Sequence, residues 1–303
     1  HIIVAKACLK HDKFMATTSY VSDDMKKLDN DVKSKNLIFL NEIGVDPGID
    51  HMSAMKIIDE VHTGGGKIKH FYSICGGLPA PDDNDNPFGY KFSWSPKGVV
   101  LASRNAARYL ENGREINIKG EDLFLNYRIE NVEGLGDFEV YPNRDSLPYK
   151  DIYGLKDALT IMRGTYRNIG WCDTLKKIVD LGLVDDTPSS SLSGITFKQM
   201  MADLAGASPS DDIIAAVAKK AVLEKDHFVI KNLEWLGLFS DDKVTDQDNR
   251  LDILSDKLLE KLRYKDGEKD MIVLRHTFVI ENADGSEQTT TSTLIDYGIP
   301  HGD

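Results

Sequence analysis

Hydrophobic positions in the first sixty residues switch between two periods. A β-like run opens the chain, and Lys13-Phe-Met-Ala-Thr-Thr-Ser19 reads as a strand. Met25, Leu28 and Val32 then fall on one face of a helix. Ser22 is placed to cap that helix, with Asp23 and Asp24 in its first turn, where the dipole favours anions. Asn36-Leu-Ile-Phe-Leu40 is short and continuously apolar, as in a strand covered on both faces. A second helix follows, with Asp46 as its expected cap, Pro47 at its first position and Gly64-Gly65-Gly66 at its end. This β-α-β-α order predicts a parallel sheet with right-handed crossovers.

From Lys67 the pattern changes. Lys67–Ile74 predicts a strand, and Ser95-Pro96 opens a helix expected to reach about Leu110. Short strands are expected around Ile116–Ile118, Phe138–Tyr141 and Leu159–Tyr166. A helix after Gly170 carries Leu175, Ile178, Val179 and Leu181. Residues 187–264 read as mostly helical, broken at Pro188-Ser-Ser-Ser191 and Ser208-Pro-Ser210. Met271–Ile280 and Gln288–Asp296 then predict a hairpin around the two-residue turn Asp284-Gly285. No internal repeat or low-complexity tract interrupts the chain.

Composition narrows the class. With 303 residues, 41% hydrophobic and 28% charged, the chain can bury a core and is expected to form two domains rather than one. The longest apolar runs are far too short to cross a membrane. The net charge of −12 argues against a general affinity for nucleic acid or anionic lipid. Cys8, Cys75 and Cys172 are odd in number and widely spaced, which suits a reducing, cytoplasmic setting and fits neither a disulfide framework nor a zinc site. The histidines lack metal-ligand spacing, so no metal is expected. The first residue is His, and no basic-then-apolar leader follows it. A fragment or trimmed chain is therefore expected.

Two segments depart from folding grammar. In Asn41-Glu-Ile-Gly-Val-Asp-Pro-Gly-Ile-Asp-His-Met52, Asp46 sits at a strand-to-helix junction. Ligands bind outside the carboxyl ends of the strands in open parallel sheets, and helix N-termini favour anions. Thr17-Thr18-Ser19-Tyr20 would bring hydroxyls and a phenol to the same crevice. An N-cap role would suffice for an isolated Asp-Pro-Gly, and β-propensity for any one threonine. In Ser73-Ile-Cys-Gly-Gly-Leu-Pro-Ala-Pro81, Cys75 ends a strand before two glycines that leave the backbone open to a ligand. A lone cysteine is more often a small buried hydrophobe. Arg144, Arg163 and Arg167 lie at expected strand ends, and a convergence of guanidinium groups would bind a small polyanion. Surface salt bridges are the ordinary alternative, and Arg163 is the one most suited to a local pair. No G-x-G-x-x-G follows a strand, which weighs against a complete dinucleotide-binding domain.

These motifs stand in one order: T-T-S-Y at 17–20, N-E-I-G-V-D-P-G-I-D-H at 41–51, C-G-G-L-P-A-P at 75–81, D-N-P-F-G-Y-K-F-S-W-S at 85–95, Y-P-N-R-D-S at 141–146, R-G-T at 163–165 and W-L-G-L-F-S at 235–240. Together they resemble the saccharopine reductases, the NADP-dependent, glutamate-forming saccharopine dehydrogenases of fungal lysine biosynthesis. The resemblance covers nearly the whole chain. It implies an α/β fold: residues 1–62 as the distal part of a Rossmann-type parallel sheet, then residues 63–303 as a mixed-sheet α+β substrate and dimerisation domain. A helical insert would occupy about 187–264.

The implied reaction joins L-glutamate to 2-aminoadipate 6-semialdehyde as an imine, which NADPH reduces to saccharopine. The resemblance implies substrate contacts at Ser19, Tyr20, Asp46, Arg144, Thr165 and Arg167. It implies cofactor contacts at Thr18, Ser19, Val45, Asp46, Pro47 and Ser95, with Tyr20, Asp46 and Cys75 nearest the chemistry. A homodimer is the implied assembly. The family's glycine loop and C-terminal crossing segment are expected outside these residues, so little turnover is expected of this chain alone. A non-catalytic binding and dimerisation fragment, or a related oxidoreductase with another substrate, are the alternatives.

Overall fold

In the computed structural model, which describes residues 1–93, 96–102 and 104–300 and not the Pro96 side chain, Cα packing divides the chain into two units. The first unit comprises residues 1–69 and 276–292, and the second residues 70–275 and those from 293 onward. No helix among the described residues is long and apolar enough to cross a membrane.

The first unit begins with helix α1 (Ile2–Lys10), not the expected strand. Ile2, Ala5 and Cys8 recur at helical spacing and pack with Met15 and Met25, and this packing overrides the β-branched start. Strands β1 (Met15–Ala16) and β2 (Phe39–Leu40) pair in parallel, with Met15 opposite Phe39. Between them the expected single helix is two short ones, α2 (Asp23–Lys26) and α3 (Asp29–Ser34). Ser22 caps α2 as expected, its Oγ accepting from the Met25 N–H at 3.3 Å.

Helix α4 (Ile49–Thr63) starts later than expected. Its N-cap is Gly48, whose N–H donates to the Asp50 carboxylate at 2.6 Å. Asp46 and Pro47 therefore remain in the preceding loop, joined by a cis peptide bond. Gly64 closes the helix. On the second turn, Ser53 Oγ donates to the Ile49 carbonyl at 2.6 Å and lies 2.8 Å from His276 Nε2.

The remaining elements are β3 (Lys67–Pro79), α5 (Pro96–Ala102), β4 (Ala107–Glu111), β5 (Arg114–Ile118), β6 (Arg128–Val132), β7 (Gly136–Pro142), α6 (Tyr149–Ile152) and β8 (Thr160–Arg167). Helices α7 (Trp171–Asp180), α8 (Phe197–Ala205), α9 (Ile213–Ala221), α10 (Phe228–Leu236) and α11 (Arg250–Lys261) follow, and β9 (Asp270–Glu281) and β10 (Glu287–Tyr297) end the chain's regular structure. The sheet order is β10-β9-β3-β8-β4-β5, and the β6–β7 pair joins it through β8. It is mixed, because β3 and β8 run parallel while β7 and β4 run antiparallel to β8.

Successive side chains of a strand point to opposite faces, and β8 shows this with two cores. Met162 and Tyr166 join Ile74, Leu78 and Val140 in one core. Tyr141, Trp171 and the apolar faces of α7 to α11 form the other. The expected helical stretch holds α8 to α11, each opened by a side-chain cap from Thr196, Asp212, His227 or Asn249.

Several elements differ from expectation. Helix α5 stops at Ala102. Residues 107–110, expected as helix, belong to a strand because their backbone pairs with β5, and Leu110 pairs with Ile161 of β8. Strand β6 was not expected: its Arg-Ile-Glu-Asn-Val sequence lacks an apolar run. The β9–β10 connection is longer than a two-residue turn, since Asn282 N–H donates to the Ser286 carbonyl across residues 283–285.

In the second unit, one ion-pair cluster joins the loop after β3 to the loop before β9. Buried Lys91 lies 2.7 Å from Asp85 and 2.8 Å from Glu268, and Lys265 adds a 2.6 Å bond to Asp85. Hydrogen bonds from Lys265 and then Lys91 hold the Asp85 carboxyl down to about 2. A carboxyl depressed on folding stabilises the protein above its ordinary titration range and loses that contribution as pH falls towards 2. Asp85→Asn should therefore flatten the loss of thermal stability between about pH 5 and pH 2. An unchanged acid limb in Tm measurements would show that the cluster contributes nothing there.

Candidate functional site

The first unit holds its candidates on two short segments. Thr18, Ser19 and Tyr20 follow β1, and residues 41–48 follow β2. The Tyr20 hydroxyl donates to Asp46 Oδ1 at 2.6 Å, with both side chains half-buried. A phenol bonded to a carboxylate at this distance is a charge-assisted hydrogen bond and a ready path for a proton.

The loop that carries Asp46 folds tightly on itself. Gly44 N–H donates to the Pro47 carbonyl, Ile49 N–H to the Gly44 carbonyl and Asp50 N–H to the Val45 carbonyl, each at 2.9 Å. Only glycine fits at 48: a Cβ there would stand 2.1 Å from the Gly44 oxygen, and the residue's φ is +148°. A Cβ on Gly44 would stand 3.2 Å from the Thr18 Cβ, so the glycine lets Thr18 and the loop approach. Val45 is half-buried in this turn, and Pro47 is buried. Thr18, Val45 and Pro47 thus sit beyond the carboxyl ends of two parallel strands, the place where such sheets receive a ligand. Ser95 lies outside the described residues.

Glu42 and His51 belong to the same region and were not singled out from the sequence. Glu42 Oε1 accepts from the Val21 N–H at 2.8 Å, and His51 Nε2 lies 3.1 Å from Glu42 Oε2. Only the unusual density of polar residues around Asp46 signalled them.

The second unit holds the remaining candidates across three adjacent strands. Cys75 of β3 pairs with Thr165 of β8, and Thr165 pairs with Tyr141 of β7. These three and Arg167 share one face of the sheet. Cys75 is half-buried and does not end its strand as expected, because β3 continues through both glycines to Pro79. Gly76 serves packing instead of ligand access: a Cβ there would lie 2.7 Å from Tyr166 Cβ.

Arg167, the last residue of β8, is buried, with its guanidinium carbon 4.9 Å from the Tyr90 ring and 5.3 Å from the Trp171 ring. Its Nη1 donates to the Tyr166 carbonyl at 2.8 Å. Stacking on two rings fixes the cation without neutralising it. Arg144 follows β7, is exposed, and adopts a left-handed backbone with φ 55°. Its carbonyl accepts from the Arg108 N–H at 2.8 Å, which pins the turn. Arg163 is engaged locally: it stacks 4.5 Å over the Tyr149 ring and donates to that tyrosine's hydroxyl at 2.5 Å.

Glu139 stands opposite Arg167 in the β7–β8 register and was also missed from the sequence. It is buried and accepts from the N–H groups of Gly170 and Cys172, each at 2.7 Å, at the start of α7. A charged residue inside the apolar strand Phe138–Tyr141 was the available signal. Burial, then Glu139, pushes the Cys172 thiol far above its ordinary range. Burial likewise raises Tyr141, although Arg167 and a hydrogen bond with Thr165 oppose the rise. Burial and the neighbouring Asp173 push Tyr127 up to about 12. Among the described residues, no group of three His, Cys, Asp or Glu side chains is arranged to hold a metal ion.

Residues 44–303 match the family described as "Saccharopine dehydrogenase C-terminal domain". The chain is similar to the saccharopine dehydrogenase [NADP(+), L-glutamate-forming] of Pyricularia oryzae, 44% identical over 308 residues that span all of this chain and 68% of that protein. The enzyme of the same name from Schizosaccharomyces pombe is 43% identical over 311 residues, covering 100% of this chain and 69% of its own length. Among solved structures, the apo saccharopine dehydrogenase (L-Glu forming) of Saccharomyces cerevisiae superposes with a TM-score of 0.91 at 42% identity, covering 100% of this chain and 69% of that one.

No disulfide joins the three cysteines, and Cys172 is fully buried. A thiol so shielded and so weakly acidic should not react with an aromatic disulfide reagent at pH 8. At most two thiols should titrate in the native protein, and the third only after denaturation. Three equally fast thiols would place Cys172 in contact with solvent.

Proposed function

Because this chain belongs to the saccharopine dehydrogenase family, we propose that it carries out NADP-dependent saccharopine chemistry in lysine metabolism. The reaction is the reversible reduction of the imine of L-glutamate and 2-aminoadipate 6-semialdehyde to saccharopine. The 2.6 Å bond between Tyr20 and Asp46 is the observation that carries this assignment for the chain's own residues. Imine formation takes up and releases protons at one nitrogen, and a carboxylate that holds a phenolic proton is suited to that exchange.

In this proposal Asp46 stabilises the positive charge that develops on the iminium nitrogen, and Tyr20 returns a proton through the same bond. NADPH, when bound, supplies the hydride. Thr18, Ser19, Val45, Asp46 and Pro47 would line its reactive end. Arg144 and Arg167, with Ser19 and Thr165, would take the substrate's carboxylates. Saccharopine carries three of these, and stacked or turn-fixed guanidinium groups bind carboxylates with little loss of freedom. Cys75 shares the sheet face of Thr165 and Arg167 and is assigned no proton transfer here.

A cytoplasmic setting accords with three cysteines and no disulfide. The family likeness extends the proposal to a homodimer, which light scattering on the eluted protein would check by giving twice the chain mass.

Saccharopine oxidation with NADP, followed as NADPH absorbance in the intact gene product, tests the function directly. Arg144→Ala should raise the saccharopine KM by about tenfold or more while leaving the NADP KM within about twofold, as expected when one charge-assisted contact is lost. An unchanged saccharopine KM removes Arg144 from the site. No saccharopine-dependent NADPH at any substrate concentration overturns the assignment itself.

A further inference from the structure

We propose that Glu42 is a positioning residue that holds Tyr20 in register with Asp46. The proposal rests on the assignment of Tyr20 and Asp46 above and adds the group that aligns them. Glu42 grips the residues on both sides of Tyr20. Its own N–H donates to the Ser19 carbonyl at 3.2 Å, and its Oε1 accepts from the Val21 N–H at 2.8 Å. The peptide units before and after Tyr20 are thus both tied to one residue. Two fixed peptide units leave the Tyr20 side chain little freedom except about its own χ angles.

The other carboxylate oxygen of Glu42 faces the start of α4. Its Oε2 lies 3.1 Å from His51 Nε2, a close approach without hydrogen-bond alignment, and His51 Nδ1 lies 3.5 Å from Asp50 Oδ2. Asp50 is buried and accepts from the Gly48 N–H at 2.6 Å. Glu42 therefore stands between the first turn of α4 and the backbone of residues 19–21. Asp46 is set in the same loop, between Glu42 and Gly48. Both partners of the 2.6 Å bond are consequently referred to one anchor.

The backbone of Glu42 supports a dedicated role. Its φ is 58°, in the left-handed region that a glutamate rarely adopts. A glycine or asparagine would suit that conformation better, so the side chain has a use that outweighs its conformational disadvantage. The use available to it is the pair of contacts to Val21 and His51. A hydrogen bond to an ionised carboxylate is stronger than a neutral one, and here it restrains a catalytic phenol by its main chain rather than its hydroxyl.

Kinetics of saccharopine oxidation in the intact gene product test the proposal through a double-mutant cycle. Glu42→Ala should lower kcat by about tenfold, with the NADP KM within about twofold, because the loss concerns alignment and not binding. Glu42→Gln should recover most of that loss, since its amide oxygen can still accept from Val21. In a Tyr20→Phe background, Glu42→Ala should cost less than about twofold, because the group it aligns is already gone. If Glu42→Ala does not fold, Glu42→Asp, one methylene short of Val21, takes its place in the cycle. An equal Glu42 penalty with and without the Tyr20 hydroxyl overturns the positioning role while leaving the assigned function intact. Full turnover in Tyr20→Phe removes the tyrosine from the chemistry and overturns the positioning role with it, while the saccharopine assignment stands.

Discussion

Backbone touching backbone at Gly44 and Gly48 is the constraint on which the first unit's chemistry depends. Three main-chain hydrogen bonds close within seven residues, and this requires position 48 to carry no side chain. The turn sets where α4 begins, and it leaves Asp46 outside the helix at the crest of the loop. Had Asp46 been the N-cap, its carboxylate would be committed to the helix's own amides. The carbonyls of Gly44 and Val45 take the first helical amides instead, and Asp46 is left to accept from Tyr20. One glycine thus decides whether a carboxylate serves the fold or the chemistry.

This division also explains what the sequence made legible. Period and cap placed β1, β2, α2 and the end of α4, because each rests on local rules: an apolar run, Ser22 before two acidic residues, glycine after a helix. The exact role of Asp46 was not local. It depended on a close contact between Gly44 and Gly48 that no pattern of hydrophobic and polar residues encodes. The same holds for Gly76, which looked like an opening in the chain and instead lets β3 pass close to Tyr166. Residues 107–111 illustrate a third cause: a short amphipathic stretch suits either helix or strand, and pairing with β5 and β8 decides it. The candidate residues themselves were found through motifs. Glu42 and Glu139 were not, because a carboxylate shielded from solvent is recognised by its partners, and those are distant in sequence.

In the second unit the strand β8 does for charge what the loop does for protons. One of its faces is apolar, and the other carries Arg163, Thr165 and Arg167 in alternate positions. Such a face would be expensive to bury if the guanidinium groups lacked company. Each has a different answer. Arg163 is absorbed by Tyr149, a local contact that uses its charge for packing. Arg167 packs against two aromatic rings that touch each other and stands opposite Glu139, while Glu139 is itself held by the amides at the start of α7. The rings hold Arg167 in place and leave its charge available.

That contrast bears on how a substrate with several carboxylates is discriminated from one with fewer. An exposed lysine would attract any anion, and it would do so weakly, because water screens it and its side chain must be ordered on binding. A guanidinium already immobilised by rings and strand has lost that freedom before the ligand arrives, so a correctly spaced carboxylate meets a prepared partner. Arg144 differs: the left-handed turn and the Arg108 amide fix its backbone, while its side chain is exposed. The pair thus combines one guanidinium held in place with one able to adjust to a carboxylate. Under the proposed assignment, a preference for a long polyanion would come from two separated guanidinium groups and would be compatible with a chain whose net charge is −12.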